Sequence, residues 1–357
     1  MAEYLVRFIP LEPYFFGGER SGVYGKESYY FTKSEVMPNQ STILGAIRYC
    51  CIDKPSYDFK IDESKIKIGR ESFSIESPTL QDFGWIKSVS PIFFMDGDEI
   101  YIPTPFDHNC EKGNIYTPFQ EFEQVLTGEG IKYFPKDYKA KLGITDSFMN
   151  ISGDNRLKEK EDFFSDEDRI GINTKWEENG LFKRKYMRLK EGKSYGVFAQ
   201  IDDQVKMEQK IVYMGQGKSA FCVKFEKRKN DLVEKVKNVL NRESLGSEER
   251  IFYYALSDLY IKEKEEYLKE KEKSNVQKLN DCCYYANVKV KEYRSFRTNK
   301  NAKSHRDRYH RHDVLQHLIK AGSIFLVKRE KREDFESLIK NDNCEQIGFN
   351  YIIKIES

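Results

Sequence analysis

At 357 residues and 42.2 kDa the chain exceeds a typical single domain and can bury a substantial core, so two domains are expected. Its 60 Lys and Arg stand against 58 Asp and Glu, and a net charge of +2 excludes a uniformly basic surface, so any attraction for phosphate has to be local. Seven Cys without a CxxC spacing fit a reducing cytoplasm and no structural zinc, and the lack of a signal-peptide pattern or membrane-length apolar run predicts a cytoplasmic, membrane-free protein.

Residues 4–9 read as a buried strand of aromatic and β-branched residues, ended by Pro10 and Pro13. Gly17, Gly18, Gly22 and Gly25, mixed with Arg20 and Lys26, form a permissive loop in which backbone can approach a ligand closely. Pro38-Asn39-Gln40-Ser41-Thr42 is a helix-start signal, and Ile43, Ile47, Cys50 and Cys51 then share an apolar face.

The stretch 57–165, rich in Gly, Pro, Asp and Lys, reads as a long insertion with strand candidates at 85–94 and 99–102. Beyond it, 169–173 is a short strand, and 181–189 with 194–201 flank Glu191-Gly192 as a predicted hairpin. The first hairpin strand carries Lys183, Arg184, Lys185 and Arg188. Residues 210–214, Gly215-Gln216-Gly217 and 220–225 read as strand, glycine loop and strand.

Leu232, Val236, Val239 and Leu240 mark an amphipathic helix over 229–240, while 251–261 fits strand or helix equally. Alternating Glu and Lys make 262–273 a solvated helix or linker. After a basic stretch at 294–311, the pattern predicts a helix at 314–319, a strand at 322–327, a helix at 333–339 and a last strand at 347–355.

Gly217-Lys218-Ser219 resembles the end of a nucleotide-binding loop, but the required earlier glycine is replaced by Val212 and a strand follows where a helix should. The backbone N–H groups of this loop, with Lys218 and Ser219, can instead meet a phosphate or another stretch of backbone, and a plain tight turn is the simpler alternative. His305, His310, His312 and His317 lie near Asp313, yet Arg306, Arg308 and Arg311 among them would repel a divalent cation, so no metal site is expected. Arg294, Arg297, Lys300, Lys303 and Arg306 alternate with Tyr293, Phe296 and His305, a mixture that can hold phosphates and stack bases or can be a solvated loop.

Several of these runs occur in a familiar order: Phe15-Phe16-Gly17-Gly18, Met37-Pro38-Asn39-Gln40-Ser41-Thr42-Ile43-Leu44-Gly45, Tyr101-Ile102-Pro103-Thr104-Pro105-Phe106-Asp107, Arg169-Ile170-Gly171-Ile172, Met214-Gly215-Gln216-Gly217-Lys218-Ser219 and Ala321-Gly322-Ser323. Across most of the chain they resemble the RAMP proteins that hold the guide-RNA 5′ tag in type III-B CRISPR (Cmr) complexes. A sister tag-binding subunit of a type III-A or III-D complex is the alternative within this resemblance.

The resemblance implies an α+β fold of two ferredoxin-like, RRM-related domains with glycine-rich loops. The boundaries are 1–226, with an insertion at about 57–165, and 227–357. It implies no catalysis and no cofactor or metal, with crRNA, the large cyclase/polymerase-like subunit and a RAMP backbone subunit as partners and target RNA met only indirectly. The RNA-binding residues expected are Gly17, Gly18, Arg20, Lys26, Asn39, Gln40, Ser41, Thr42, Arg48, Arg169, Arg184, Lys185, Gly215, Gly217, Lys218 and Ser219. To these the basic stretch adds Arg294, Arg297, Lys300, Lys303, His305 and Arg306. The alternatives are a RAMP endoribonuclease that processes guide precursor and a His-Asp metal phosphohydrolase.

Overall fold

The computed structural model describes residues 1–17, 20–21, 29–52, 67–69, 72–108, 114–128, 130–136, 138, 146–173, 180–240, 250–263, 273–293, 296–298, 309–311 and 315–355. The fold is α+β and divides into two units, one made of Met1–Gly69, Phe83–Asp98 and Glu159–Lys229, the other of Arg70–Asp82, Glu99–Lys158 and Asn230–Ser357. The segment expected as one insertion is thus shared between the units. Phe93–Asp96 pairs with Lys193–Ile201 of the first unit, whereas Tyr254 of the second donates its hydroxyl to the Pro103 carbonyl at 2.6 Å.

In the first unit the strand Ala2–Pro10 runs antiparallel between Lys193–Ile201 and Ser219–Lys227, and Phe93–Asp96 and Lys210–Met214 extend the sheet on either side. The strand after the glycine loop lies beside the first strand. Val6 and Phe8 of the first strand are fully buried, and the helix Gln40–Cys50 packs Ile43 and Ile47 inward and lies against Lys210–Met214. A second sheet orders Phe164–Asn173, Gly180–Leu189, Tyr29–Lys33 and Arg20–Ser21.

The predicted hairpin about Glu191-Gly192 does not form. Gly180–Leu189 has Phe164–Asn173 on one edge and Tyr29–Lys33 on the other, so no edge is left for Lys193–Ile201, which joins the first sheet. Gly192, at φ 75°, turns the chain from one sheet into the other.

In the second unit Cys283–Asn287, Ile324–Lys328, Arg250–Ala255 and Ile352–Ile355 form a sheet in that order. Helices Asn275–Cys282 and Arg332–Ile339 share its core through Leu279, Cys282, Phe335 and Ile339 against Tyr253, Phe325 and Val327. The first of these helices opens on a reciprocal cap, in which Ser274 accepts from the Gln277 N–H and the Gln277 side chain accepts from the Ser274 N–H.

Residues 251–261, undecided from sequence, become the strands Arg250–Ala255 and Leu259–Tyr260. The helix predicted at 314–319 is instead the strand Gln316–Ile319, because Leu318 and Ile319 pair across to Leu259–Tyr260 and Val290–Tyr293. The last strand is shorter than expected, Ile352–Ile355, and follows the short helix Asp342–Gln346. Most of 262–273 lies outside the described residues.

Candidate nucleic-acid interface

The glycine loop of the first unit is built around one carbonyl. Gly215 sits at φ 75°, and a Cβ there would lie 2.4 Å from the Phe15 oxygen, so only glycine lets the loop close on that segment. The Gln216 N–H donates to the same oxygen at 3.0 Å, and the Lys218 N–H donates to Gly215 O at 3.2 Å. The loop therefore meets another stretch of backbone, one of its two sequence readings. Gly217 lies outside the left-handed region, and the residue that enters it is Lys218, at φ 51° with its side chain exposed. Ser219, expected at a phosphate, is buried and donates its hydroxyl to Pro13 O at 3.0 Å.

Residues 13–17 are in turn stitched to two other segments. Tyr14 exchanges backbone bonds with Met187, and the Phe16 N–H donates to Ser34 Oγ at 2.9 Å. Below them the Tyr14 and Tyr195 hydroxyls are 2.6 Å apart, and Tyr195 donates to Val36 O at 2.6 Å. Because Tyr195 directs its proton to Val36, Tyr14 is the donor of the pair. Burial pushes both phenols above their ordinary range, so the relay stays protonated. The relay ties the approach to the helix Gln40–Cys50 to the segment that carries the glycine loop.

That helix has no acidic residue in its first turn, so its positive end is not neutralised from within. Asn39 is its cap residue in extended conformation, without a side-chain cap bond, and its carbonyl accepts from Thr42 and Ile43. Ser41 and Thr42 are half-buried at this end. Gln40 is a correction: it is buried and donates Nε2 to Ser90 O at 3.0 Å, inside the fold. Arg48 is another. It lies about 10 Å further along the helix than Ser41, and its side chain donates to Gly69 O at 3.1 Å and rests over Phe83, away from the helix start.

The basic strand Gly180–Leu189 sorts its charges by alternation. On one side Lys183 pairs with Asp168 at 2.7 Å and Lys185 with Asp166 at 3.2 Å, so these lysines are matched by acids that sequence reasoning did not set against them. On the other side are Arg169, Arg184 and Arg188, with Glu167 bonded by Arg169 and Arg188 and held by them below the usual carboxylate range. Arg184 lies over the Phe15 ring and Arg169 over the Tyr186 ring, with those two rings 5.4 Å apart.

Two lysines that the sequence reading passed over join the Lys185 side. Lys33 lies in register with Lys185, and Lys160 faces Lys33. Burial first, and the Lys33 charge second, hold the Lys160 ammonium below the ordinary lysine range.

Gly17 is exposed with open space about it. Gly18 and Lys26 lie outside the described residues, and Arg20 is placed only as strand backbone opposite Thr32. Of the basic stretch, Arg297 is placed as backbone opposite His310 in the second unit, while Arg294, Lys300, Lys303, His305 and Arg306 lie outside the described residues. Among the described residues no three His, Cys, Asp or Glu side chains are grouped to hold a metal ion, and no helix is long and apolar enough to cross a membrane.

No curated protein matches the sequence. In fold the chain is similar to one in the cryo-EM structure of the Type III-B Cmr-beta bound to cognate target RNA and AMPPnP, state 1, with a TM-score of 0.50 at 18% identity over 98% of this chain and 95% of that chain. It is likewise similar to a chain of the Type III-B Cmr-beta bound to cognate target RNA, with a TM-score of 0.50 at 17% identity over 98% of this chain and 96% of that chain. The family model of the CRISPR-associated protein (Cas_Cmr3) matches residues 6–357, and with nearly the whole sequence covered the chain belongs to that family.

Proposed function

We propose that this chain is the non-catalytic subunit of a type III-B CRISPR (Cmr) complex that holds the 5′ tag of the guide RNA. It contacts the large cyclase/polymerase-like subunit and the first RAMP backbone subunit, and meets target RNA only through the assembled complex. The observation that carries the reading is the joining, in one unit, of three features suited to single-stranded RNA. These are a helix start free of acids, an exposed Lys218 on a glycine loop closed over Phe15, and an arginine-rich strand face laid over aromatic rings.

Strand order supports two ferredoxin-like units. In the second unit the strands of a strand-helix-strand-strand-helix-strand series lie in the spatial order second, third, first, fourth. The first unit repeats that order with Phe93–Asp96, Lys193–Ile201, Ala2–Pro10 and Ser219–Lys227, and Lys210–Met214 stands where the second helix would be.

The test replaces Ser41 and Thr42 together by Asp and measures binding to tagged and tagless guide RNA across a salt series. Loss confined to the tagged RNA is expected, since a carboxylate at the helix start repels one located phosphate. Equal loss on both RNAs refutes the assignment. In parallel, replacing Arg297, Lys300 and Lys303 by Ala should lower the slope of log affinity against log salt by roughly 0.7 for each phosphate no longer held. Repeating the incubation with and without divalent cation reads RNA cleavage, which the non-catalytic reading forbids.

A further inference from the structure

We propose that the guanidinium of Arg169 is a stacking platform for one unpaired base of the bound RNA, and that Glu167 is the residue that positions it. The inference rests on the RNA-binding reading above and adds a named ligand group to it.

The geometry is that of a plate already laid in place. Arg169 stands opposite Arg184 in the ladder between Phe164–Asn173 and Gly180–Leu189, and Glu167 stands opposite Tyr186. The Arg169 guanidinium carbon lies 4.3 Å from the centroid of the Tyr186 ring, which is itself buried. Its Nε and Nη2 both donate to Glu167 Oε1, at 3.0 and 2.9 Å, while Arg188 takes the other carboxylate oxygen at 3.1 Å. One face of the guanidinium is thus covered by a ring and one edge is committed to a carboxylate, yet the side chain remains 45% exposed.

A surface arginine ordinarily loses rotamer freedom when it stacks. Here the contacts to Tyr186 and Glu167 have already removed it, so a base meets a preorganised plane. The Nε–Nη2 edge, one of the two that can fork a phosphate, is given to Glu167, and the π face opposite Tyr186 is the surface that a base can cover. Arg184 and Arg188 flank it, so the phosphates on either side of a splayed base are attracted while the base itself covers the plane. Glu167 stays ionised at neutral pH because its two arginines favour the charged form.

The experiment is a cycle between protein and RNA variants. Full-length protein is titrated with a single-stranded tagged RNA and with versions in which each nucleotide in turn is made abasic. With the wild type, one abasic position should weaken binding about ten-fold, within the range of base-aromatic stacking, and its neighbours should matter less. Arg169→Lys keeps the charge but not the plane. It should bind intact RNA about ten-fold more weakly, show no further loss at that abasic position, and leave the salt slope unchanged. Glu167→Gln should reduce the abasic penalty in part, with a melting temperature like that of the wild type.

A penalty at the sensitive position that survives Arg169→Lys overturns the platform, as does a wild type that shows no position sensitive to base removal. A wild type that binds none of the RNAs overturns the RNA reading and the platform together, a result distinct from either.

Discussion

Gly215→Ala is the most discriminating change in the first unit. An alanine at φ 75° costs about 1–2 kcal/mol in the left-handed region. Its Cβ would also fall 2.4 Å from Phe15 O, so the loop or the segment at Phe15 must give way and the 3.0 Å bond from the Gln216 N–H is broken, about 1 kcal/mol more. The sum, about 2–3 kcal/mol, predicts a melting temperature lower by about 4–12 °C for a unit of this size. Gly217→Ala is the internal control. Its Cβ would make an ordinary 3.4 Å contact with Tyr186, and its backbone is not left-handed, so little change is expected. Differential scanning fluorimetry on the two variants and the wild type decides the matter. An Ala at 215 that melts with the wild type, or one at 217 that loses as much, refutes the account of why this loop carries glycine.

Lys218→Gly should relieve left-handed strain, raising stability by up to about 1 kcal/mol in urea unfolding while weakening RNA binding through removal of the charge. Tyr195→Phe removes the donor to Val36 O and the acceptor of Tyr14, and should cost about 2–4 kcal/mol. Tyr14→Phe, which keeps the Val36 bond, should cost clearly less, and equal losses would show that the relay does not anchor the helix approach. Lys160 binds its proton more weakly folded than its ordinary value of 10.5. Between its folded value and 10.5 the unfolded chain therefore holds more protons, and this residue's contribution to stability should rise with pH across that window. Lys33→Met should flatten the rise, and urea titrations of both proteins in alkaline buffer measure it.

Local patterns announced much of this fold. The buried first strand, the helix after Pro38, the strands around Gly215-Gln216-Gly217 and the helix Arg332–Ile339 of the second unit's core follow from apolar spacing and punctuation in their own segments, whereas the core helix Asn275–Cys282 was not read from sequence. What local pattern could not reveal was which edge each strand would find. Residues 181–189 and 194–201 have hairpin spacing, yet each has both edges taken by other strands, the first by its chain predecessor Phe164–Asn173 and by Tyr29–Lys33, and Leu318 and Ile319 become strand only because Leu259–Tyr260 and Val290–Tyr293 receive them.

At the interface the residue types were legible and their directions were not. Gln40 and Ser219 read as RNA contacts because they sit in the right motifs, but their side chains turn inward to satisfy Ser90 and Pro13 carbonyls. Conversely Lys33 and Lys160 lack a motif and come beside Lys185 only through a parallel pairing and a one-turn helix. Glu167 lies two residues before Arg169, a spacing that puts both side chains on one face of a strand, and that signal was available in the sequence.

The short passage through Glu191 and Gly192 has a mechanical meaning. It joins Gly180–Leu189, which bears the arginine face, to Lys193–Ile201, which is bonded on both edges in the central sheet. A pull transmitted from a held RNA along the outer strand reaches the inner one with almost no slack. There it acts along the strand axis, where the ladder bonds to Ala2–Pro10 must shear together instead of opening one after another. An RNA held on the arginine face, as proposed, would load that ladder in shear, and lengthening this passage by a few glycines should leave equilibrium binding in place while lowering the force at which a tethered RNA is torn free.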